Sequence, residues 1–292
     1  MYRHNTLSSA FSLALCSVFM AAAASFSTAL HAETFPEGSK MAQLSKAGTM
    51  KVGTQSQYPL VGFQSFDGYT GFDIEIARLI AGKLGIAPDK VEFVPVTTST
   101  REPFLSESKV DMILAAYTIN PENQKVVDFA GPYYITPNSI MVPKGNPLKI
   151  SKMEDLEGHK LCVPLGAAIV PYIKAHYSYL SDSLVYFDSS AKCAEAIING
   201  QVDASSTENA ILAALAAQHD GKLEVITSIE YRPGEYGVGI QKTDDKVFCK
   251  WINKTLDEIY ADGSWAQAYK DTLGTVLSGP VPNPPAPGGT CR

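Results

Sequence analysis

The chain has 292 residues, 24 Lys and Arg against 30 Asp and Glu, a formal net charge of −6 and 45% hydrophobic residues. That acidic balance, on a length that makes one large domain or two smaller ones, argues against nucleic acid and against an anionic membrane surface as partners. The histidines are scattered and no close pairs of ligands stand together, so no metal site is legible, and neither a metal nor another cofactor is expected.

Residues 1–32 carry Arg3 as their one fixed charge, then the apolar run AFSLALCSVFMAAAASF, and end in ALHA at Ala32. A charged start, a short apolar run and a small residue at the boundary read as a cleaved secretory signal peptide. The run contains serines and is too short for a clean membrane span. Cys16 follows the bulky Leu15 and sits inside the apolar run, so it is not read as a lipid-attachment site. Removing residues 1–32 takes away one positive and no negative charge, for a net of −7. Four cysteines remain, Cys162, Cys193, Cys249 and Cys291. An even count in an exported chain favours two disulfides, whose pairing spacing alone leaves open among three connectivities.

From residue 48 onward short apolar runs alternate with helical periods. MKVGT (50–54) and VEFVPV (91–96) read as strands. Between them, residues 71–85 place Ile74, Ala77, Ile80 and Ala81 on one helical face, as in a helix packed on a sheet. REPFLSES begins another helix, KVDMILAAYTI is the next strand, and VVDFAGPYYITPNSIMVPK runs extended. Between these last two, YTINPENQK (117–125) predicts a strand handing over to a helix with Pro121 at its first position. Such a corner leaves backbone N–H groups unpaired and often faces a ligand.

A second set follows. MEDLEG (153–158) is a short helix, HKLCVPLG (159–166) a strand, and AAIVPYIKAHYSYL a helix with Pro171 near its first turn. SLVYFD is a strand, SSAKCAEAIINGQ a helix capped by Ser189 or Ser190, VDASST a strand, and ENAILAALAAQHDG a helix closed by Gly221. LEVITS and YGVGIQK (236–242) are two more strands, and DKVFCKWINKTLDEIYADGSWAQAYKDTL makes one or two terminal helices. SGPVPNPPAPGGTCR holds five prolines and reads as a polyproline-like tail. Two α/β units in series predict two lobes with a cleft at the carboxyl ends of their strands.

DGYTGFDIEIARLIAGKLG, REPFLSESKVDMILAAYTI, KVVDFAGPYY, LEGHKLCVPLG, AIINGQVDASSTENAIL and DEIYADGSWAQAYKDTLG occur in this order. Together they resemble the periplasmic substrate-binding proteins of polar amino-acid ABC importers (solute-binding protein family 3), nearest the glutamate-binding branch, over roughly residues 36–277. The resemblance implies an α/β, two-lobed periplasmic-binding-protein fold of type II, its two α/β lobes joined by two crossing strands. Lobe one would be residues 33–138 and 237–292, with the proline-rich tail at 278–292, and lobe two residues 139–236. It also implies a disulfide between Cys162 and Cys193, leaving Cys249 and Cys291 to pin the tail onto the terminal helix. The first bridge would stabilise by about 3–4 kcal/mol.

The family holds an α-amino acid by three devices. The aromatic that covers the ligand matches Tyr58. The arginine that binds the α-carboxylate as a bidentate pair matches Asn123, so the charge at the 117–125 corner is gone. The acidic residue for the α-ammonium matches Glu208, where the family usually has Asp; its other reading is a cap for helix 209–218. Gly166 is kept, but Ala167 and Ala168 replace hydroxyl residues, leaving backbone N–H groups and the helix dipole for an anion. Thr118 could add a hydroxyl donor, and Thr98 and Ala116 complete the expected ligand set. Arg101 is the remaining cation on the cleft side; its other reading is a surface arginine paired with Glu102 or Glu107. Without the corner arginine, a ligand less anionic than glutamate is favoured.

The resemblance therefore implies a monomeric periplasmic protein that captures an amino acid or a similar polar solute and delivers it to an ABC permease in the inner membrane. Two alternatives share the fold: a periplasmic enzyme resembling cyclohexadienyl dehydratase, and a ligand-sensing partner of a membrane receptor. Catalysis needs a second positioned titratable group beside Glu208, and no histidine lies near an expected cleft loop, so no enzyme is expected.

Overall fold

The computed structural model describes residues 34–243, 245–286 and 291. The signal-peptide reading of residues 1–32 lies outside them. The described residues form one compact unit. After helix α1 (Lys40–Ala47), strand β1 (Met50–Thr54) pairs in parallel with β5 (Val91–Pro95) on one side and β6 (Met112–Ile113) on the other. Helix α2 (Phe72–Lys83) buries Ile76, Ala77, Ile80 and Ala81. Helices α7 (Val247–Ala261) and α8 (Ser264–Asp271) share its core, where Trp265 meets Phe72 edge-on at 5.7 Å and donates through Nε1 to the Tyr133 carbonyl at 2.8 Å. The short helix α3 (Arg101–Ser106) covers a smaller cluster that includes Val96, Leu105, Ile113, Tyr117 and Phe129.

The other half repeats the plan. Strand β8 (Leu161–Pro164) pairs in parallel with β9 (Leu184–Phe187) and β10 (Ala204–Glu208). Helices α4 (Ile169–His176), α5 (Ser190–Ile198) and α6 (Asn209–Gln218) alternate with these strands in the chain. Pro171 falls in the first turn of α4, where its missing N–H costs no helix bond. Ser189 caps α5 by accepting from the Lys192 N–H at 3.3 Å.

Two long strands belong to both halves. β7 (Val127–Pro143) and β11 (Leu223–Gln241) run antiparallel, pairing from Leu223–Pro143 at one end to Gln241–Val127 at the other. β6 joins β11 at Gly239, and β10 joins β7 between Asn138 and Met141. The order is therefore β5-β1-β6-β11-β7-β10-β8-β9, one hydrogen-bonded sheet of eight strands in which two α/β halves share their crossing strands. LEVITS and YGVGIQK, expected as separate strands, are the two ends of β11; register shifts between Ile226 and Val238 lie between them.

Other expectations need correction. The strand expected over 109–119 pairs in regular fashion only at Met112–Ile113, with an isolated bridge from Thr118 to Tyr236. Ala116 has a φ of 47°, outside the strand region, because its N–H turns to the Asp73 carboxylate at 2.7 Å. No α-helix follows Pro121: Asn123–Lys125 form one 3-10 turn. Nor are the corner N–H groups left for a ligand, since Asn120 Oδ1 accepts from Glu122 N at 3.0 Å and from Asn123 N at 2.9 Å. Helix α1 and the small sheet of β2 (Gln57–Tyr58), β3 (Gly62–Ser65) and β4 (Gly68–Thr70) were not foreseen. Both expected disulfides are present, Cys162–Cys193 with Cα atoms 5.7 Å apart and Cys249–Cys291 at 5.8 Å.

Candidate functional site

Between the halves lies a small cavity lined from strand ends. Gln55 follows β1, Thr98 follows β5, Ala115 and Ala116 follow β6, Pro164 closes β8, and Thr207 and Glu208 close β10. All are at the carboxyl ends of parallel strands, where open α/β sheets present loops and helix starts to a ligand.

Of the residues singled out in the sequence, Tyr58, Thr98, Arg101, Ala116 and Thr118 line this cavity from the β1 half. Ala167, Ala168 and Glu208 line it from the β8 half. Arg101 opens α3 and is only 4% exposed. Its guanidinium lies 3.7 Å from the centre of the Tyr117 ring and 3.3 Å, through Nε, from Glu102 Oε1. Tyr117 donates its hydroxyl to that same Glu102 oxygen at 2.6 Å. The arginine is thus held by a ring below and a carboxylate beside it, which fixes the fork before any ligand arrives. Pairing with Glu102 and lining the cavity are both true of it.

Glu208 occupies the N-cap position of α6, yet its side chain makes no capping bond. It turns into the cavity instead, where Oε1 accepts from Thr118 Oγ1 at 3.1 Å and Oε2 from Thr207 Oγ1. Among the described residues no cation pairs with it. One cavity therefore holds a buried guanidinium and a buried carboxylate that are not spent on each other.

Tyr58 is 3% exposed, and its hydroxyl accepts from the Ser190 N–H at 3.3 Å at the start of α5. Burial pushes its phenol above the ordinary tyrosine range. Beside it, Ser189 donates to Gln57 Oε1 at 3.0 Å, a second bond between the halves. Behind Ala116 stands Asp73, fully buried, with Oδ2 accepting from Ala116 N and Oδ1 from the Tyr133 hydroxyl, both at 2.7 Å. Burial pushes its carboxyl up to about 7 in spite of these two donors.

Asn123 and Gly166 stand elsewhere, in an open groove next to the cavity. Asn123 Nδ2 donates to the Thr118 carbonyl at 2.8 Å, so the carboxamide braces the corner that carries Thr118. Gly166 has a φ of 77°, which favours glycine, and the position of a Cβ there would be 3.6 Å from the Thr98 methyl. Sequence reasoning missed Gln55, Thr207 and Ile211 on the cavity wall. The end of the MKVGT strand pointed to Gln55; nothing in the pattern pointed to Ile211. Among the described residues there is no cluster of His, Cys, Asp and Glu able to hold a metal, and no helix long and apolar enough to cross a membrane.

Residues 50–275 match the family model for bacterial extracellular solute-binding proteins, family 3. The ABC transporter glutamine-binding protein GlnH of Bacillus subtilis is 32% identical over 267 residues, 89% of this chain and 95% of that protein. The glutamate-binding protein GluB of Corynebacterium efficiens is 31% identical over 237 residues, 78% of this chain and 79% of its own. A solved solute receptor for L-cysteine from Neisseria gonorrhoeae superposes with a TM-score of 0.74 at 29% identity, covering 82% of this chain and 95% of the receptor. These relatives are named as binding proteins and receptors, not enzymes, and the two-lobed fold is theirs. The chain is a binding protein, a member of the bacterial extracellular solute-binding proteins, family 3.

Proposed function

We propose that the protein is the substrate-binding component of an ABC importer, capturing an α-amino acid or a similar polar solute in the inter-lobe cavity and delivering it to a membrane permease. A cleaved signal peptide at residues 1–32 would carry it to the periplasm. The observation that supports this reading best is the placement of Arg101 and Glu208 on the wall of one cavity. A zwitterion presents a carboxylate and an ammonium a few ångströms apart, and Arg101 and Glu208 offer the complementary charges. In this reading Arg101 holds the α-carboxylate in place of the absent corner arginine, with Thr98 beside it; the backbone N–H expected to help at Ala167 is instead bonded to the Pro164 carbonyl at 3.0 Å. The aromatic Tyr58 packs over the head group. The names of the relatives, glutamine- and glutamate-binding proteins and an L-cysteine receptor, support the same ligand class.

The two lobes in this reading are residues 33–138 with 237–292, and residues 139–236, closing about the crossing strands as near-rigid bodies. A thermal-shift screen over the amino acids, their amides and derivatives tests the ligand class, because a ligand at 100 times its Kd adds about 2.7 kcal/mol to stability. Stabilisation by at least one α-amino acid or derivative, lost in both Arg101→Gln and Glu208→Gln, is the expected result. Binding that survives both substitutions overturns the assignment of the head group to this pair.

A further inference from the structure

Ala167 and Ala168 wall more than the cavity. Both residues also line the open groove that holds Asn123, of about 510 Å³. We propose that the ligand is an α-amino acid with an extended side chain ending in an acid. On the reading above, its head sits between Arg101 and Glu208. Its tail runs past Ala167 and Ala168 into the groove, where Arg232 and Lys174 take the distal carboxylate.

Three observations carry this. First, only small side chains stand where the cavity and the groove share a wall, Ala167 and Ala168, and the nearby Asn123 is turned back onto the Thr118 carbonyl. Second, the groove holds cations in need of an anion. Among the described residues the Arg232 guanidinium makes one hydrogen bond, from Nη1 to the Ala168 carbonyl at 2.7 Å, and it lies 5.4 Å from the centre of the Tyr172 ring. Among the described residues no carboxylate pairs with it or with Lys174, whose Nζ lies 6.0 Å from the Tyr186 ring centre. The groove's one acidic residue, Glu122, is paired with Lys125 at 2.6 Å. Third, Arg232 is held where it is at a cost. Its φ is 32°, rare outside glycine, and its carbonyl is fixed by Asn138 Nδ2 at 2.6 Å. Backbone strain of this kind collects at binding sites. An arginine fixed to the backbone of that shared wall, with the rest of its fork free, suits a planar carboxylate. Leu165 (52% exposed) and Tyr186 (41%) supply apolar walls for the tail's linker.

Calorimetry with γ-glutamylglycine, its glycine methyl ester and glutamate tests the proposal, with the homologue one methylene longer as a second acid and ester pair. The acid should bind about tenfold tighter than its ester, the size of a charge-assisted contact at a partly exposed site. That preference should shrink in Arg232→Gln and in Lys174→Ala and vanish in the double variant. The acid-to-ester ratio is read within each variant, so a general loss of stability cancels, and Lys174 is exposed enough to be replaced without unfolding the chain. Equal binding of acid and ester in both pairs, or glutamate binding as tightly as its conjugates, overturns the proposal. Binding of plain amino acids without the conjugates sinks the tail alone. Failure of every α-amino acid, short or long, sinks the reading of the cavity itself.

Discussion

The Thr118 hydroxyl reaches across from the β1 half and donates to Glu208 Oε1 of the β8 half at 3.1 Å. The bond joins the halves at the carboxylate proposed to receive the ligand's ammonium. With Thr207 on its other oxygen, Glu208 is oriented before the ligand arrives. Replacing it by glutamine keeps the shape and removes the charge. Glu208→Gln should therefore lower affinity for the tightest amino acid of the thermal screen by roughly 10- to 100-fold, the worth of a charge-assisted hydrogen bond of about 1.5–3 kcal/mol. Calorimetry reads this directly, and an unchanged Kd would remove the ammonium from Glu208.

Asp73 gives a pH signature. Its carboxyl is raised from 3.8 to about 7 in the folded chain by burial. Between those values the folded state binds more protons than the unfolded one, so stability falls as pH rises through the window and levels off above it. An asparagine can accept the Ala116 N–H through Oδ1 and donate to the Tyr133 oxygen, keeping both contacts without ionising. Relative to Asp73→Asn, the unmodified protein should lose about one to a few kcal/mol between pH 4.5 and 7.5. Urea melts at several pH values check this; parallel stability profiles for the two proteins would show that Asp73 does not titrate in that window.

Gly239 sits against the face of Tyr117, where a Cβ would come 2.8 Å from two ring carbons. Tyr117 in turn carries the Arg101 guanidinium on its ring. Gly239→Ala must push the ring, and through it the arginine. The expected result is a loss of about 1–3 kcal/mol from overpacking together with weaker amino-acid binding. Melting and calorimetry on one preparation test the pair of effects, and a stability loss with unchanged affinity would show that the ring does not set the position of Arg101.

The fold was legible where burial imposes a period. The α2 face Ile74, Ala77, Ile80 and Ala81 is wholly buried, and most expected strands of both halves are in the sheet. Of what was missed, β2, β3 and β4 lack a period to read, with two to four residues each. The break at Ala116 was hidden for another reason. Its cause, Asp73, is 43 residues away. The cavity residues were accessible through the ordered motifs and through their place at strand ends. The groove was not, because Arg232 meets Ala168 across 64 residues at a bulged stretch of β11 whose geometry no local pattern encodes.

Asn123 stands where the family resemblance led us to expect arginine. Its carboxamide braces the Thr118 carbonyl, and the residue lines the groove together with Ala167 and Ala168. Asn123→Arg adds a long cation at this junction. From there a guanidinium can reach the carboxylate of a plain α-amino acid, and a bidentate pair should raise affinity for glutamate or glutamine by about tenfold or more. The same side chain would fill the path proposed for the tail, so γ-glutamylglycine should lose affinity in the same variant. Opposite shifts for the short and the extended ligand are thus expected from one substitution. If Arg101 alone holds the carboxylate, the new arginine should be nearly neutral toward glutamate, whereas Arg101→Gln should abolish its binding. Calorimetry of both ligands on both variants separates the cases. Tight glutamate binding by the unmodified protein, indifferent to either substitution, would show that the loss of the corner arginine did not redirect specificity.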